Sequence, residues 1–356
     1  MSLEPILDGR DVVVCVGTGG VGKTTTAAAI ALGAARRGRR AVVVTIDPAR
    51  RLAETLGVGD LDNTPRPAAD ADTGLTAGGG ELWAAMLDPK ATFDDLVARH
   101  AADADQADRI LANPLYGTIS TSLGGVQEYM AMEKLHELHT DPRFDLVVVD
   151  TPPAAHVLGL LDSPRLLGRL FDSWLYRALV PTRRSTRVAA GVVQGMIRPL
   201  TRLVGAAVID QAVDFFRAFE GMEDGFRTRS TATLEVLRGP RTAFVLVTAP
   251  RFDALAQAEV LAGELGQAGV GLTALTVNLV QPTYGEGIAP DALLERCADT
   301  PWEPHARALL AAARRHRAEL DAVEATAARM GVGLVTSVPD LGDEVRVADV
   351  AGLLLP

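Results

Sequence analysis

The 356 residues include 35 basic and 45 acidic side chains, for a formal net charge of −10, and 48% of them are hydrophobic. That length suits one large α/β domain or a core with an inserted subdomain, and a binder of phosphate backbones shows the opposite charge, so no nucleic-acid partner is expected. The two cysteines, Cys15 and Cys297, lie far apart and form no CxxC, so neither a zinc site nor an iron–sulfur cluster is expected.

Residues 1–10, MSLEPILDGR, lack the basic and apolar regions of a signal peptide, and no apolar run is long enough to span a bilayer. The expectation is a cytoplasmic protein that is peripheral to a membrane only through a partner. Residues 11–17 read DVVVCVG, a β-branched run typical of a buried strand. A glycine loop follows, then an alanine-rich helix ending in basic residues and Gly38, then AVVVTID at 41–47 as a second buried strand. Strand, loop, helix and strand make a βαβ unit and imply a parallel sheet. Residues 58–80, rich in Gly, Pro, Asp and Thr, read as a mobile surface loop, and ELWAAMLD after them as a strand.

Residues 89–140 read as mostly helical, with breaks near Asn113–Pro114 and Gly124–Gly125, before the buried strand DLVVVDTPP at 145–153. From Gly159 to Arg238 no strand pattern appears. Leu160, Leu167, Leu170, Phe171, Trp174 and Ala178 recur at three- and four-residue steps. Val188, Val192, Met196, Leu200, Leu203 and Ala207 continue the period, and Phe215, Phe216, Phe219 and Met222 follow. These stripes predict a helical insertion, and they fit either its own core or an apolar surface. The basic cluster Arg183, Arg184 and Arg187 reads as a solvated face. TAFVLVTAP at 242–250 and LTALTVNLV at 272–280 resume the sheet. A Pro- and Gly-containing loop, a charged helix at 303–330, a last strand in GLVTSVPDL and a short helix complete the pattern.

Gly17-Thr18-Gly19-Gly20-Val21-Gly22-Lys23-Thr24 fits G-x-x-x-x-G-K-[ST], placed between a buried strand and a helix. Glycines at this spacing let backbone N–H groups turn inward around phosphate oxygens, and the following helix directs its N-terminal dipole at the same anion. Gly19, Gly20, Val21 and Gly22 are the expected backbone donors. Lys23 is expected to reach the β- and γ-phosphates, Thr24 to ligate Mg²⁺, and Thr25 to approach the α-phosphate. Asp150 ends the strand LVVVD, where a carboxylate holds Mg²⁺ through water. Asp47 follows VVVTI at the same carboxyl edge. It also precedes Pro48 and a helix, so a helix-capping role stays open for it beside a catalytic one.

GTGGVGKTTTAAAIALG, TIDPARRLAETLG and VVVDTPPAAHVLG together resemble the ArsA family of ATPases, which includes the arsenite-pump ATPase and the ATPase that targets tail-anchored membrane proteins. The resemblance runs from the first strand to VPDL near residue 340. It implies an α/β P-loop NTPase with a mostly parallel, helix-flanked sheet and an α-helical inserted subdomain. The core then comprises 1–158, with a helical excursion at 89–140, and 239–356, and the insertion spans 159–238. It further implies ATP and ADP with Mg²⁺ as cofactors, and Asp47 as the residue that deprotonates the attacking water. Asp150 through His156 become the segment that senses the γ-phosphate, Asn278 the reader of adenine, and Pro339 part of a loop packed near the base. Its partners are a second copy or a related ATPase, and a hydrophobic or membrane-protein client for the helical insertion.

Three departures stand out. The family pattern G-K-G-G-x-G-K-T carries a lysine that reaches the partner's nucleotide, and Thr18 occupies that position here. A charge of this kind is worth about 10³–10⁵ in rate where an arginine finger supplies it. The paired cysteines of zinc-bridged targeting dimers and the arsenite-binding cysteines are also absent. A self-sufficient ATPase switch and one half of a hetero-oligomer with a lysine-bearing paralogue therefore both fit. A positioning ATPase of the ParA or MinD kind fits less well, because VRVADVAGLLLP carries a single cation and makes a poor membrane anchor.

Overall fold

The computed structural model describes residues 2–47, 51–68, 75, 79–117, 125–152, 157–163, 206–282, 290–342 and 345–356. Among the described residues eight strands form one sheet: β1 (Val12–Gly17), β2 (Arg40–Thr45), β3 (Arg66–Pro67), β4 (Glu81–Met86), β5 (Leu146–Asp150), β6 (Thr242–Thr248), β7 (Ala274–Val280) and β8 (Leu334–Pro339). Their order is β3-β4-β2-β5-β1-β6-β7-β8, and every neighbouring pair is parallel except β3 with β4.

Strands β1, β5 and β6 are buried along their whole length, which is why they read as unbroken Val and Leu runs. Helix α1 (Lys23–Arg36) lies over β1, β2 and β5 and also packs on the helix Val347–Leu354. Its small residues permit that double contact: Ala27, Ala28, Ala31, Ala34 and Ala35 are fully buried. The chain leaves β1 toward β2 on one side and returns to β6 on the other. The carboxyl edge around β1 is thus the point of strand-order reversal, where open α/β sheets bind ligands.

Two compact units divide the chain. The first comprises Met1–Met86, Pro142–Val157 and Arg238–Pro356 and holds the entire sheet. The second comprises Leu87–Asp141 and Leu158–Leu237 and is helical among its described residues, so the excursion at 89–140 falls in it. In this second unit Asp88 and Asp103 cap the helices Pro89–His100 and Ala104–Leu111 by accepting from Ala91 N and Gln106 N. Rings of Phe93, Tyr116, Phe215 and Phe219 stack at centroid distances of 4.7–5.8 Å. Phe215, Phe219 and Met222, the described end of the apolar stripes, are buried there as core. The stripe positions from Leu167 to Leu203 and the cluster Arg183, Arg184 and Arg187 lie outside the described residues. No helix among the described residues is long and apolar enough to cross a membrane.

The structure corrects three local expectations. Within 58–80, Leu61 and Ala68 are buried, and Arg66–Pro67 pair with Trp83 and Ala84 as an antiparallel edge strand. Proline is tolerated there because an edge strand leaves one row of N–H positions unused. A helix, Pro290–Cys297, occupies part of the segment read as a Pro- and Gly-containing loop. Strand β2 ends at Thr45, so Asp47 lies two residues beyond the sheet in a bend.

Gly33 marks a close helix contact, since a Cβ there meets Leu355 Cδ1 at 2.4 Å. Gly33→Val is expected to cost about 1–3 kcal/mol through overpacking. Leu355→Ala in the same chain should recover part of that loss, as read from urea unfolding of the single and double variants.

Candidate active site

The glycine loop joins β1 to α1 at the carboxyl edge. Two close approaches dictate its glycines. A Cβ on Gly17 meets Val247 O at 2.2 Å, and one on Gly22 meets the Asn278 amide nitrogen at 2.1 Å. Gly22 is also left-handed, with φ of 86°, and starts α1 without a side-chain cap. The first-turn N–H groups of α1 therefore have no capping side chain, the usual condition for binding an anion at a helix start. Lys23 is buried, and its Nζ donates to Thr18 O at 2.7 Å, closing the loop on itself. Burial holds the Lys23 ammonium below its ordinary pKa, with Asp150 and then Asp47 opposing that shift.

Asp150 is the hub. Its Oδ2 accepts from Thr24 Oγ1 at 2.8 Å and from Thr45 Oγ1 at 2.9 Å. Thr45 Oγ1 in turn accepts from Asp47 N at 3.2 Å. One chain of bonds thus links the head of α1, the end of β2, the end of β5 and the bend that holds Asp47. The other oxygen, Oδ1, is buried with no hydrogen-bond partner among the described residues. Burial is the largest influence on this carboxyl and pushes its pKa up to about 6; the Thr24 and Thr45 hydroxyls and Lys23 pull the other way. Burying a carboxylate with one oxygen unpartnered costs stability, so this arrangement suits a group that gains a cation or a donor when ligand binds. Cys15, at the centre of β1, is fully buried, and burial pushes its thiol well above the ordinary range, so it is inert core.

The structure brings together Lys23, Thr24, Asp150 and Asp47, all expected from sequence, and adds Thr45, which was not. Nothing local to TID marks Thr45; the pairing of β2 with β5, which sets Thr45 beside Asp150, is what brings it into the site. Asn278 is at the end of β7, and its Nδ2 donates to Val21 O at 2.9 Å, so it braces the glycine loop. Pro339 ends β8, exposed, in register with Val280. Thr25 is half-buried in the first turn of α1. Thr151 Oγ1 donates to Cys15 O at 2.7 Å and fixes the turn after Asp150. Pro48 and His156 lie outside the described residues.

A parallel sheet with a glycine cradle, a buried lysine at a helix head and a carboxylate at the adjacent strand end defines an α/β P-loop nucleotide hydrolase. Residues 10–287 match the family model described as anion-transporting ATPase. The chain belongs to that family, the ArsA ATPases, and is an ATP hydrolase. It is 25% identical over 283 residues to a protein named ATPase GET3 from Phaeosphaeria nodorum, covering 78% of this chain and 79% of that one. It is 25% identical over 304 residues to ATPase ARSA2 of Chlamydomonas reinhardtii, covering 83% and 74%. An uncharacterized protein of Streptomyces coelicolor, SCO2128, is 35% identical over 198 residues, which are 55% of this chain and 47% of that protein.

Asp150→Asn removes the buried charge. In the ligand-free protein it is expected to raise stability at pH 8 by about 1–3 kcal/mol, and so raise the Tm by several degrees. Differential scanning calorimetry without nucleotide measures this directly. Gly22→Ala should act oppositely, displacing Asn278 and weakening ADP binding at least tenfold in calorimetric titration.

Proposed function

We propose that this chain is a Mg-dependent ATPase switch, in which nucleotide bound at the glycine cradle governs the helical unit. The observation that carries this reading is the Asp150 carboxylate. One of its oxygens is fully engaged by two threonine hydroxyls, and the other is buried without a partner. The Thr24 hydroxyl and the Asp150 carboxylate are hard oxygen groups, the kind Mg²⁺ takes beside phosphate oxygens and water. Thr24 and Asp150 hold the ion on this reading, which when bound neutralises charge between the β- and γ-phosphates.

The remaining roles follow from position. Lys23 leaves Thr18 O and takes up phosphate oxygens; Gly19, Gly20, Val21 and Gly22 offer backbone donors and Thr25 an α-phosphate contact. Asp47 takes the proton of the attacking water. Its backbone N–H is tied through Thr45 to Asp150, so a change at Asp150 on nucleotide binding is transmitted to the Asp47 bend. Asn278 and Pro339, at the ends of adjacent strands, border the base. The helical unit responds by binding or releasing a hydrophobic client, in a cytoplasmic protein that acts as a dimer.

Thr18 favours one form of that dimer. Its side chain carries no charge and its carbonyl is occupied by Lys23 in cis, so a related ATPase with lysine at this position completes the site better than a second copy does. An arginine-finger-type contribution is worth about 10³–10⁵ in rate.

Asp47→Asn is expected to lower kcat by about 10²–10⁴, the range for a lost general base, while ADP affinity stays within twofold; equal rates in the two proteins would remove Asp47 from the mechanism. Mixing the chain with a lysine-bearing paralogue is expected to raise the ATPase rate at least tenfold above the sum of the two alone. A lone chain already turning over at the mixture's rate contradicts the hetero-oligomer.

A further inference from the structure

A cavity of about 750 Å³ opens at the same sheet edge but away from the cradle. Pro250 and Arg251 after β6, Leu279 and Gln281 at the end of β7, and Asp340 after β8 form one side. The 312–320 stretch of the helix Glu303–Met330 forms the other. None of the glycine-loop residues lines it, and neither do Asn278, Pro339 or Asp150. The helix also lies beyond residues 10–287, the span of the family match. The volume is that of a small-molecule site, typically about 300–1,000 Å³.

Three independent features of the lining point to a ligand. His316 Nε2 is buried and has no hydrogen-bond partner among the described residues. A buried polar atom without a partner calls for an explanation, and His316 is among the residues that line the cavity. Leu279 has φ of 60°, the left-handed region that a leucine rarely adopts. That strain coincides with the irregular register of β7 against β8 between Val277 and Val280, and it turns the β7 end into the cavity wall. The lining is also charged: Arg315 and Arg317 are there with Glu319 and Asp340, while Arg251 pairs with Asp253. Asp340 is spent internally, accepting from Gln281 Nε2 at 2.5 Å and Gly342 N at 3.0 Å. Ala312, Ala313 and Leu320 supply an apolar surface between the basic groups.

We propose that this cavity is a second ligand site, for an organic anion of about nucleotide size whose apolar body lies on the alanines of the helix and whose acidic group meets Arg315 and Arg317. Such an occupant touches Leu279, and the preceding residue, Asn278, holds Val21 of the glycine loop. Cavity and cradle therefore share one strand end, and coupling between them is reciprocal in free energy.

The test is equilibrium dialysis of the full-length chain with Mg²⁺ and labelled ADP, alongside Lys23→Ala and the double variant Arg315→Ala/His316→Ala. Both altered side chains of the double variant are on the cavity wall and outside the cradle. The expected result is two ADP per chain at saturation, falling to one in either variant. If wild type takes one ADP, naphthalene-2-sulfonate is titrated into the ADP-saturated protein. One sulfonate per chain, weakened at least tenfold in the double variant, supports the site for a non-nucleotide anion. No binding of either probe beyond the single ADP, or second-site binding that survives the double variant unchanged, overturns it. Loss of the Lys23-dependent ADP alone bears on the cradle and not on this cavity.

Discussion

The structure turns on the hydrogen bonds that Thr24 and Thr45 make to the same oxygen of Asp150. They join the head of α1 to the ends of β2 and β5, three segments brought to one edge only by the strand order β2-β5-β1. Both hydroxyls spend their protons on one oxygen, which leaves the other buried and without a partner among the described residues. Folding tolerates that defect because the two charge-assisted bonds and nearby Lys23 offset part of the desolvation. The groups that position this carboxylate are also the ones that keep its other oxygen in deficit.

The same logic governs the loop. Gly17 and Gly22 are required by close approaches to Val247 O on β6 and to the Asn278 amide on β7, so these two strands limit how far the cradle can move. Asn278 is then a brace as well as a neighbour of the base on the proposed reading, because its donor is directed at Val21 O. Lys23 donates to Thr18 O, and on the proposed reading phosphate replaces that carbonyl. Thr18, which stands where the resemblance places the first lysine of the pattern, thus serves through its carbonyl as a rest for Lys23.

Much of this was legible in the sequence. Val12–Gly17, Leu146–Asp150 and Thr242–Thr248 are buried on both faces, so they read as unbroken apolar strands. The phosphate loop is set by backbone needs that only glycine at fixed spacing meets, so it reads equally well. What sequence missed depends on tertiary neighbours. Arg66–Pro67 is a strand only because β4 offers it a partner, and its composition remains that of a loop. Helix Pro290–Cys297 follows a segment rich in Pro and Gly that hides its start. Thr45 became visible as part of the site only once β2 and β5 lay side by side, since nothing in TID singles out its hydroxyl. His316 and Leu279, 37 positions apart in sequence, have no shared local pattern and meet only at the cavity wall.

The central claim is that the unpartnered oxygen of Asp150 awaits a nucleotide-bound divalent cation. Electron paramagnetic resonance with Mn²⁺ in place of Mg²⁺ tests it most directly. Titration in the presence of ADP should show one tightly bound Mn²⁺ per chain, absent without ADP and weakened at least tenfold by Asp150→Asn or Thr24→Ala. Tight Mn²⁺ binding that is indifferent to ADP, or that persists unchanged in both variants, would contradict the account.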